Sequence, residues 1–330
     1  MKKAIWTAVA AVGALAVLAW GGWLAWLAAM RAPRDIPVLM YHNVLRDGEL
    51  SVWQVSEEEF DRQMGQLEAA GYETVLPDDI ERAWRGLRRL PKKPVAITFD
   101  DGYEGVAAYA EPILARHGMK AICYAVAGLL AEDGEERATF DSGPVLTAAE
   151  ARAMAERGVV ALGSHSLTHL RNPKGLASEM GPSKSELRRR TGVKTRSYCY
   201  PYGMHGQDYM YEGLRGNRYR TALACGDEMF HYGRETNLLA IPRLSVYGGR
   251  HDIRVAAVRP EEGVVLLQNG GARIPLKVRV TDEEGGRTWE SGVQGVGGGE
   301  ATAYRFPPEA LAGERRIEAW DKEGLFRYVP

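Results

Sequence analysis

The sequence predicts an α/β fold, a distorted (β/α) barrel followed by a small β-sandwich-like domain and preceded by a transmembrane helix. Three observations predict it. From Ile36 to about Val246, short apolar runs alternate with amphipathic segments. Residues able to do chemistry directly follow several of those runs. Beyond Tyr247, glycine becomes frequent and helical periodicity fades. Near-continuous apolar runs are the pattern of strands buried on both faces, as in parallel sheets covered by helices. Reactive residues at strand C-terminal ends favour a barrel-like version over an open sheet.

Taken in order, Lys2 and Lys3 precede an uncharged run from Ala4 to Met30, 27 residues that would span about 40 Å as a helix. The run ends Leu27-Ala28-Ala29-Met30-Arg31 without a small-x-small cleavage site, so residues 1–31 are read as an uncleaved anchor, the alternative being a signal peptide whose cleavage would leave the rest secreted. The basic residues before it place the N-terminus in the cytoplasm and the remainder on the extracellular face. Trp20, Trp23 and Trp26 fall near the outer end of the run, at the depth of an interfacial belt.

Residues 32–248 form the main domain. Its strands are read at Pro37 to Tyr41, Val95 to Phe99, Ala121 to Ala127, Val159 to Gly163 and Tyr198 to Tyr200. Between them, Ser56 and Glu59 form a capping box ahead of Phe60, Met64 and Leu67, and Val106, Ala110, Ile113 and Leu114 mark a second helical stripe. Residues 249–330 form a small β-rich domain. There Ile274, Leu276, Val278 and Val280 alternate with Pro275, Lys277 and Arg279, and a hairpin is expected with Ile317 to Trp320 and Leu325 to Val329 as its arms. Its aromatics Trp289, Tyr304, Trp320, Phe326 and Tyr328 are assigned to the core of that domain.

The net charge of −1 carries no nucleic-acid footprint. Cys123, Cys199 and Cys225 all lie in apolar stretches, without CxxC or metal-ligand spacing, and read as small hydrophobes. His117, His231 and His251 have no partner pattern and are placed on the surface, and His205 is placed in a loop.

The chemistry concentrates in two stretches, Thr98-Phe99-Asp100-Asp101-Gly102 and Ser164-His165-Ser166-Leu167-Thr168-His169. Asp-Asp-Gly alone is an ordinary turn, and an HxxxH pair alone is an ordinary helix face. Both here follow apolar strands. Asp101, His165 and His169 then make the two-imidazole, one-carboxylate set that leaves coordination positions open for water and substrate. Alternation along an extended segment turns Asp100 away from Asp101, which frees it to act as a base in metal-assisted hydrolysis.

With those residues placed, the chain resembles the polysaccharide deacetylases, the NodB-homology group of carbohydrate esterases, over Ile36 to Val246. The family's TFDDG motif maps its base onto Asp100 and a metal ligand onto Asp101, and its Ser/Thr-His-x-x-x-His motif maps the other ligands onto His165 and His169. Its Pro-Tyr-Gly motif is met by Pro201-Tyr202-Gly203, which implies that the Tyr202 backbone N–H helps hold an oxyanion. Tyr200, Pro201 and Gly203 are implied to meet substrate. Two departures stand out. Many members carry an arginine two residues before that proline, where this chain has Cys199, and Arg196 is out of register. Many members also carry a general-acid histidine in a closing segment, which here reads Ile241-Pro242-Arg243-Leu244-Ser245-Val246. His42, in Val38-Leu39-Met40-Tyr41-His42-Asn43-Val44, stands at a strand end instead. That arrangement is similar to the biofilm poly-N-acetylglucosamine deacetylases, whose acid histidine comes first, and His42 receives the role from that resemblance.

The resemblance implies a divalent metal, zinc first and cobalt, nickel or manganese by the same ligands. It also implies a polymer of N-acetylglucosamine as substrate, met outside the cell by a membrane-anchored enzyme. Peptidoglycan, chitin and acetylated xylan share the same core motifs. A glycan-binding module built on a retired barrel leaves the full ligand set unexplained, and a non-haem iron oxygenase leaves Asp100 and the Pro-Tyr-Gly turn unexplained.

Overall fold

The computed structural model describes residues 26, 32–46, 53–141, 143–226, 228–246, 254–268, 274–282, 287–292, 294–296, 301–311 and 315–320. The expected anchor at residues 1–31 falls outside these except for Trp26. Among the described residues no helix is long and apolar enough to cross a membrane.

Seven parallel strands build the main sheet: β1 (Val38–Tyr41), β2 (Pro94–Phe99), β3 (Ala121–Ala125), β4 (Val160–Ser164), β5 (Ser197–Cys199), β6 (Thr221–Leu223) and β7 (Leu244–Ser245). Their spatial order is β6-β5-β4-β3-β2-β1-β7, with the short strand Glu73–Thr74 beside β2. The segment holding β7 also touches the far edge, because Ile241 bridges to Leu223 of β6 while Leu244 and Ser245 pair with Leu39 and Met40 of β1. One segment thus joins both edges, and the sheet curls into the barrel-like form expected from reactive residues at its strand ends.

Strand alternation divides the buried residues into two layers. Leu39, Tyr41, Val95, Ile97, Phe99, Ala121, Cys123, Val160 and Leu162 face helices α1 (Glu57–Ala69), α3 (Glu111–Arg116) and α4 (Ala148–Arg157) through Phe60, Met64, Ile113, Leu114, Ala151 and Met154. Val38, Ala96, Ile122, Tyr124, Cys199, Leu223 and Ile241 form the other cluster, inside the curl. This cluster extends to α2 (Pro77–Trp84) through Ile80 and Ala83. Gly163 makes room there, since a Cβ on it would stand 2.2 Å from the Tyr124 ring. Two further helices, α5 (Pro173–Thr191) and α6 (Asp208–Gly216), cover Tyr198, Tyr200 and Ala222 with Leu176, Met180, Met210 and Leu214.

Half of the expected capping box forms. Ser56 Oγ accepts from Glu59 N at 3.1 Å, but the Glu59 carboxylate turns to Arg62 and Gln63. The complete box stands at Thr147 and Glu150, before α4. His117 and His231 are partnered after all: His117 lies between Glu68 (2.7 Å) and Asp61 (2.8 Å), and His231 meets Asp35 at 2.6 Å. His251 lies outside the described residues.

Seven more strands follow: β8 (Arg254–Arg259), β9 (Val264–Gln268), β10 (Ile274–Asp282), β11 (Thr288–Glu290), β12 (Gln294–Val296), β13 (Ala301–Arg305) and β14 (Arg315–Trp320). β8, β9 and β13 make one antiparallel sheet, and β10 pairs antiparallel with β11, β12 and β14. Val265, Leu267, Val278, Val280, Tyr304 and Ile317 share one buried cluster. The second arm of the expected hairpin, with Phe326 and Tyr328, lies outside the described residues.

The His117 clamp between α1 and the end of α3 has a pH signature. Its hydrogen bonds to the Glu68 and Asp61 carboxylates raise its pKa above the ordinary histidine value. A pKa raised on folding adds stability that is complete below the unfolded value of about 6.5 and is lost as pH climbs through the folded value. The stability gap between the parent and His117→Gln, measured by chemical denaturation, is therefore expected to be widest below about pH 6 and to close in mildly alkaline buffer.

Candidate functional site: a buried carboxylate–arginine pair beside a three-ligand cluster

Each candidate residue sits just past the C-terminal end of a parallel strand: His42 after β1, Asp100 and Asp101 after β2, His165 after β4, and the Tyr200-Pro201-Tyr202-Gly203 turn after β5. Asp100 keeps the inward parity of Ala96 and Thr98. Asp101 does not continue the strand. Its φ of 68° and that of Gly102, 80°, turn the chain sharply, and this left-handed turn rather than strand alternation separates the two carboxylates. Asp101 Oδ1 consequently lies 3.4 Å from both His165 Nε2 and His169 Nε2.

The two histidines do not share a helix face. His165 leaves β4, Ser166 (φ 66°) and His169 (φ 59°) are both left-handed, and Ser166 Oγ accepts the His169 N–H at 2.9 Å. This tight loop folds the His169 ring to 4.9 Å from that of His165.

The cluster fits a metal by its donors. Ligands on a tetrahedral centre with bonds of about 2.1 Å stand about 3.4 Å apart, the spacing found around Asp101 Oδ1. His165 Nδ1 lies 3.0 Å from the Cys199 carbonyl, which fixes the tautomer that leaves Nε2 free to ligate. Burial pushes His165 down, but Asp100, Asp101 and that carbonyl overcome it and raise its pKa. A cation can replace the proton so held. His169 is pushed down to about 4 by burial and by His165, so it is neutral at neutral pH, the form that ligates.

Behind the cluster, Arg243 grips Asp100. Arg243 is fully buried, and its Nη1 and Nη2 donate to Asp100 Oδ1 and Oδ2, both at 2.7 Å. It also contacts Thr98 Oγ1 (3.1 Å), the Ala224 carbonyl (3.0 Å), Cys199 Sγ (3.1 Å) and Cys225 Sγ (3.8 Å). Burial pushes the Asp100 carboxyl up, yet the guanidinium wins and holds it well below the usual carboxylate range. The arginine absent from position 199 is thus supplied by the closing segment, three residues from Val246. Its signal in the sequence was a lone charge inside the apolar run Ile241 to Val246, which burial obliges to find a carboxylate.

His42 is half-buried, with Nδ1 lacking a hydrogen-bond partner and its ring 4.6 Å from that of Trp53. Burial lowers its pKa against the pull of Asp101 and Asp100. Tyr202, 48% exposed with φ 56°, places its ring 4.6 Å from His169, and the Arg171 guanidinium lies 4.2 Å from that ring's centroid. Trp53, 40% exposed, and Tyr202 are therefore aromatic surfaces beside His42 and His169. Tyr200 does not reach this cleft. It is fully buried, with its hydroxyl on the Leu239 carbonyl at 2.8 Å, so its side chain supports the turn from beneath. Pro201 is buried, and Gly203 (φ 67°) packs against Cys225, where a Cβ would meet that side chain at 2.7 Å. His205 Nδ1 holds the Gly203 carbonyl at 2.8 Å.

A parallel barrel-like sheet with a two-histidine, one-aspartate cluster at its C-terminal mouth, and a second aspartate poised on an arginine, defines the class of protein. Residues 88–216 match the family model for polysaccharide deacetylase. The protein YxkH of Bacillus subtilis is 28% identical over 180 residues, 53% of this chain and 60% of that protein, so the match spans well under two thirds of the relative's length. Among solved structures, the Streptococcus pyogenes deacetylase PplD in complex with acetate is similar, at 24% identity and a TM-score of 0.56 over 66% of this chain and 94% of that one. IcaB from Ammonifex degensii gives 24% and 0.55 over 64% and 91%. The deacetylase domain of BpsB from Bordetella bronchiseptica gives 20% and 0.51 over 64% and 96%. These structural likenesses are likenesses of fold.

Removing one member of the buried pair strands the other. Arg243→Met is expected to cost about 3–5 kcal/mol of unfolding free energy, and Arg243→Met with Asp100→Asn to recover most of it, measured as a double-mutant cycle by denaturation.

Proposed function

We propose that this chain hydrolyses the N-acetyl groups of extracellular poly-β-1,6-N-acetylglucosamine, releasing acetate and leaving glucosamine units in the polymer. The observation that carries the reading is the Asp100 carboxylate, kept ionised by Arg243 at 4.0 Å from the metal-facing His165 Nε2. A base so placed serves hydrolysis, and a binding module has no use for it.

A divalent cation at Asp101, His165 and His169 supplies, when bound, the positive charge that polarises an amide carbonyl and acidifies water. Asp100 Oδ2, aimed by the Arg243 fork, takes the proton from the attacking water. The Tyr202 backbone N–H is assigned to the oxyanion of the tetrahedral adduct. His42, on the side of the cluster formed by β1, is assigned to protonate the departing nitrogen. Its depressed pKa means that a proton placed there is readily given up. Trp53 and Tyr202 offer flat apolar surfaces of the kind sugar rings pack against.

The β-1,6 linkage is supported by the resemblance of the His42 arrangement to the biofilm enzymes. The extracellular, membrane-anchored location is supported by Lys2, Lys3 and the uncharged run that follows.

Full-length protein loaded with zinc or cobalt is expected to release acetate from β-1,6-linked N-acetylglucosamine oligomers faster than from β-1,4-linked ones, and to stop when the metal is chelated. Preference for the β-1,4 oligomers moves the substrate to peptidoglycan or chitin with the same site. Release from neither sinks the catalytic reading. His42→Ala is expected to lower kcat by about 10²–10⁴-fold with KM little changed, as for loss of a general acid; steady-state kinetics on the preferred oligomer checks it.

A further inference from the structure

We infer that Glu179 is the positioning residue that sets the ligating geometry of His165 and His169; its functional meaning rests on the deacetylase reading of the site. Glu179 lies on α5, where Leu176, Met180, Ser183 and Leu187 form the buried face. A carboxylate in such a stripe, only 8% exposed, demands strong partners. It finds them in the histidine loop. One oxygen accepts the Leu167 and Thr168 amides, both at 3.0 Å, and the other accepts the Thr168 hydroxyl.

One helical turn further on, Ser183 Oγ meets Ser164 Oγ at 2.9 Å. Two successive turns of α5 therefore hold the chain on both sides of His165, Ser183 before it and Glu179 after it. The opposite edge of the loop is pinned as well, by the Ala127 N–H on the Ser166 carbonyl (3.1 Å) and the Gly128 N–H on the Leu167 carbonyl (2.9 Å). Between these walls Ser166 and His169 are kept left-handed, a conformation that residues with a Cβ adopt only when their surroundings impose it. Without those two φ values His169 Nε2 would leave Asp101 Oδ1. Glu179 touches no ligating atom and acts only through the loop.

The test measures metal binding on the full-length chain, independently of substrate. Cobalt(II) is titrated against a competing chelator, its visible spectrum reports coordination geometry, and the unfolding midpoint of the metal-free protein reports the fold. Glu179→Leu is expected to bind cobalt about 10–100-fold more weakly, with an altered spectrum. Glu179→Gln is expected to stay within a few-fold of the parent, because its amide oxygen still accepts both N–H groups while the Thr168 hydroxyl turns to accept. Parent affinity and spectrum in a folded Glu179→Leu overturn the proposal. Should that variant fail to fold, Glu179→Asp replaces it: a carboxylate drawn back by one methylene is expected to weaken binding about tenfold, and parent behaviour there overturns the proposal equally. A parent that binds cobalt but releases no acetate overturns the function reading alone, whereas equal binding by parent and variant overturns this one alone.

Discussion

The ion pair between Asp100 and Arg243 is the interaction on which the site is organised. Two charges inside a curl otherwise filled by Val38, Ile122, Tyr124 and Leu223 persist only because the fork is satisfied on every side. The two Asp100 oxygens, Thr98, the Ala224 carbonyl and Cys199 share its donors. Stability alone does not account for such a pair, since apolar residues of similar volume often serve a core as well or better. What it provides is an aspartate that stays ionised and aimed in a place where burial alone would protonate it.

Two carboxylates adjacent in sequence are given different partners by backbone geometry. Asp100 follows the inward parity of β2 and meets the arginine. Asp101 is swung out by a left-handed turn that Gly102 continues, and it meets the histidines instead. Environment sets like groups apart in this way, so that adjacent carboxylates meet different partners.

Much of this could be read in the chain. Parallel strands announce themselves because both of their faces are buried, so Val95 to Phe99 and Val159 to Gly163 stood out as apolar runs, and the residues just beyond them carried the chemistry. Asp101, His165 and His169 meet as their spacing suggested, although a loop rather than a helix brings the histidines together. Arg243 was not legible as a partner of Asp100, because 143 residues separate them and only closure of the barrel juxtaposes them. The position where a local arginine was sought holds Cys199, whose sulfur now lies against the distant one. Tyr200 misled for a related reason: its place beside Pro201 suggested the cleft, but strand alternation turns its ring toward α6. The left-handed Ser166 and His169 escaped notice because neither residue type advertises that conformation as glycine does.

The closing segment has a consequence for the order of events in biosynthesis. Ile241 to Val246 joins the two edges of the sheet and also delivers the guanidinium that pairs with Asp100. A nascent chain that has emerged only through β6 already possesses Asp100, Asp101, His165 and His169 but lacks Arg243, so the fork that holds Asp100 is missing until β7 is made. Closure of the sheet and delivery of the buried counter-charge are therefore the same step.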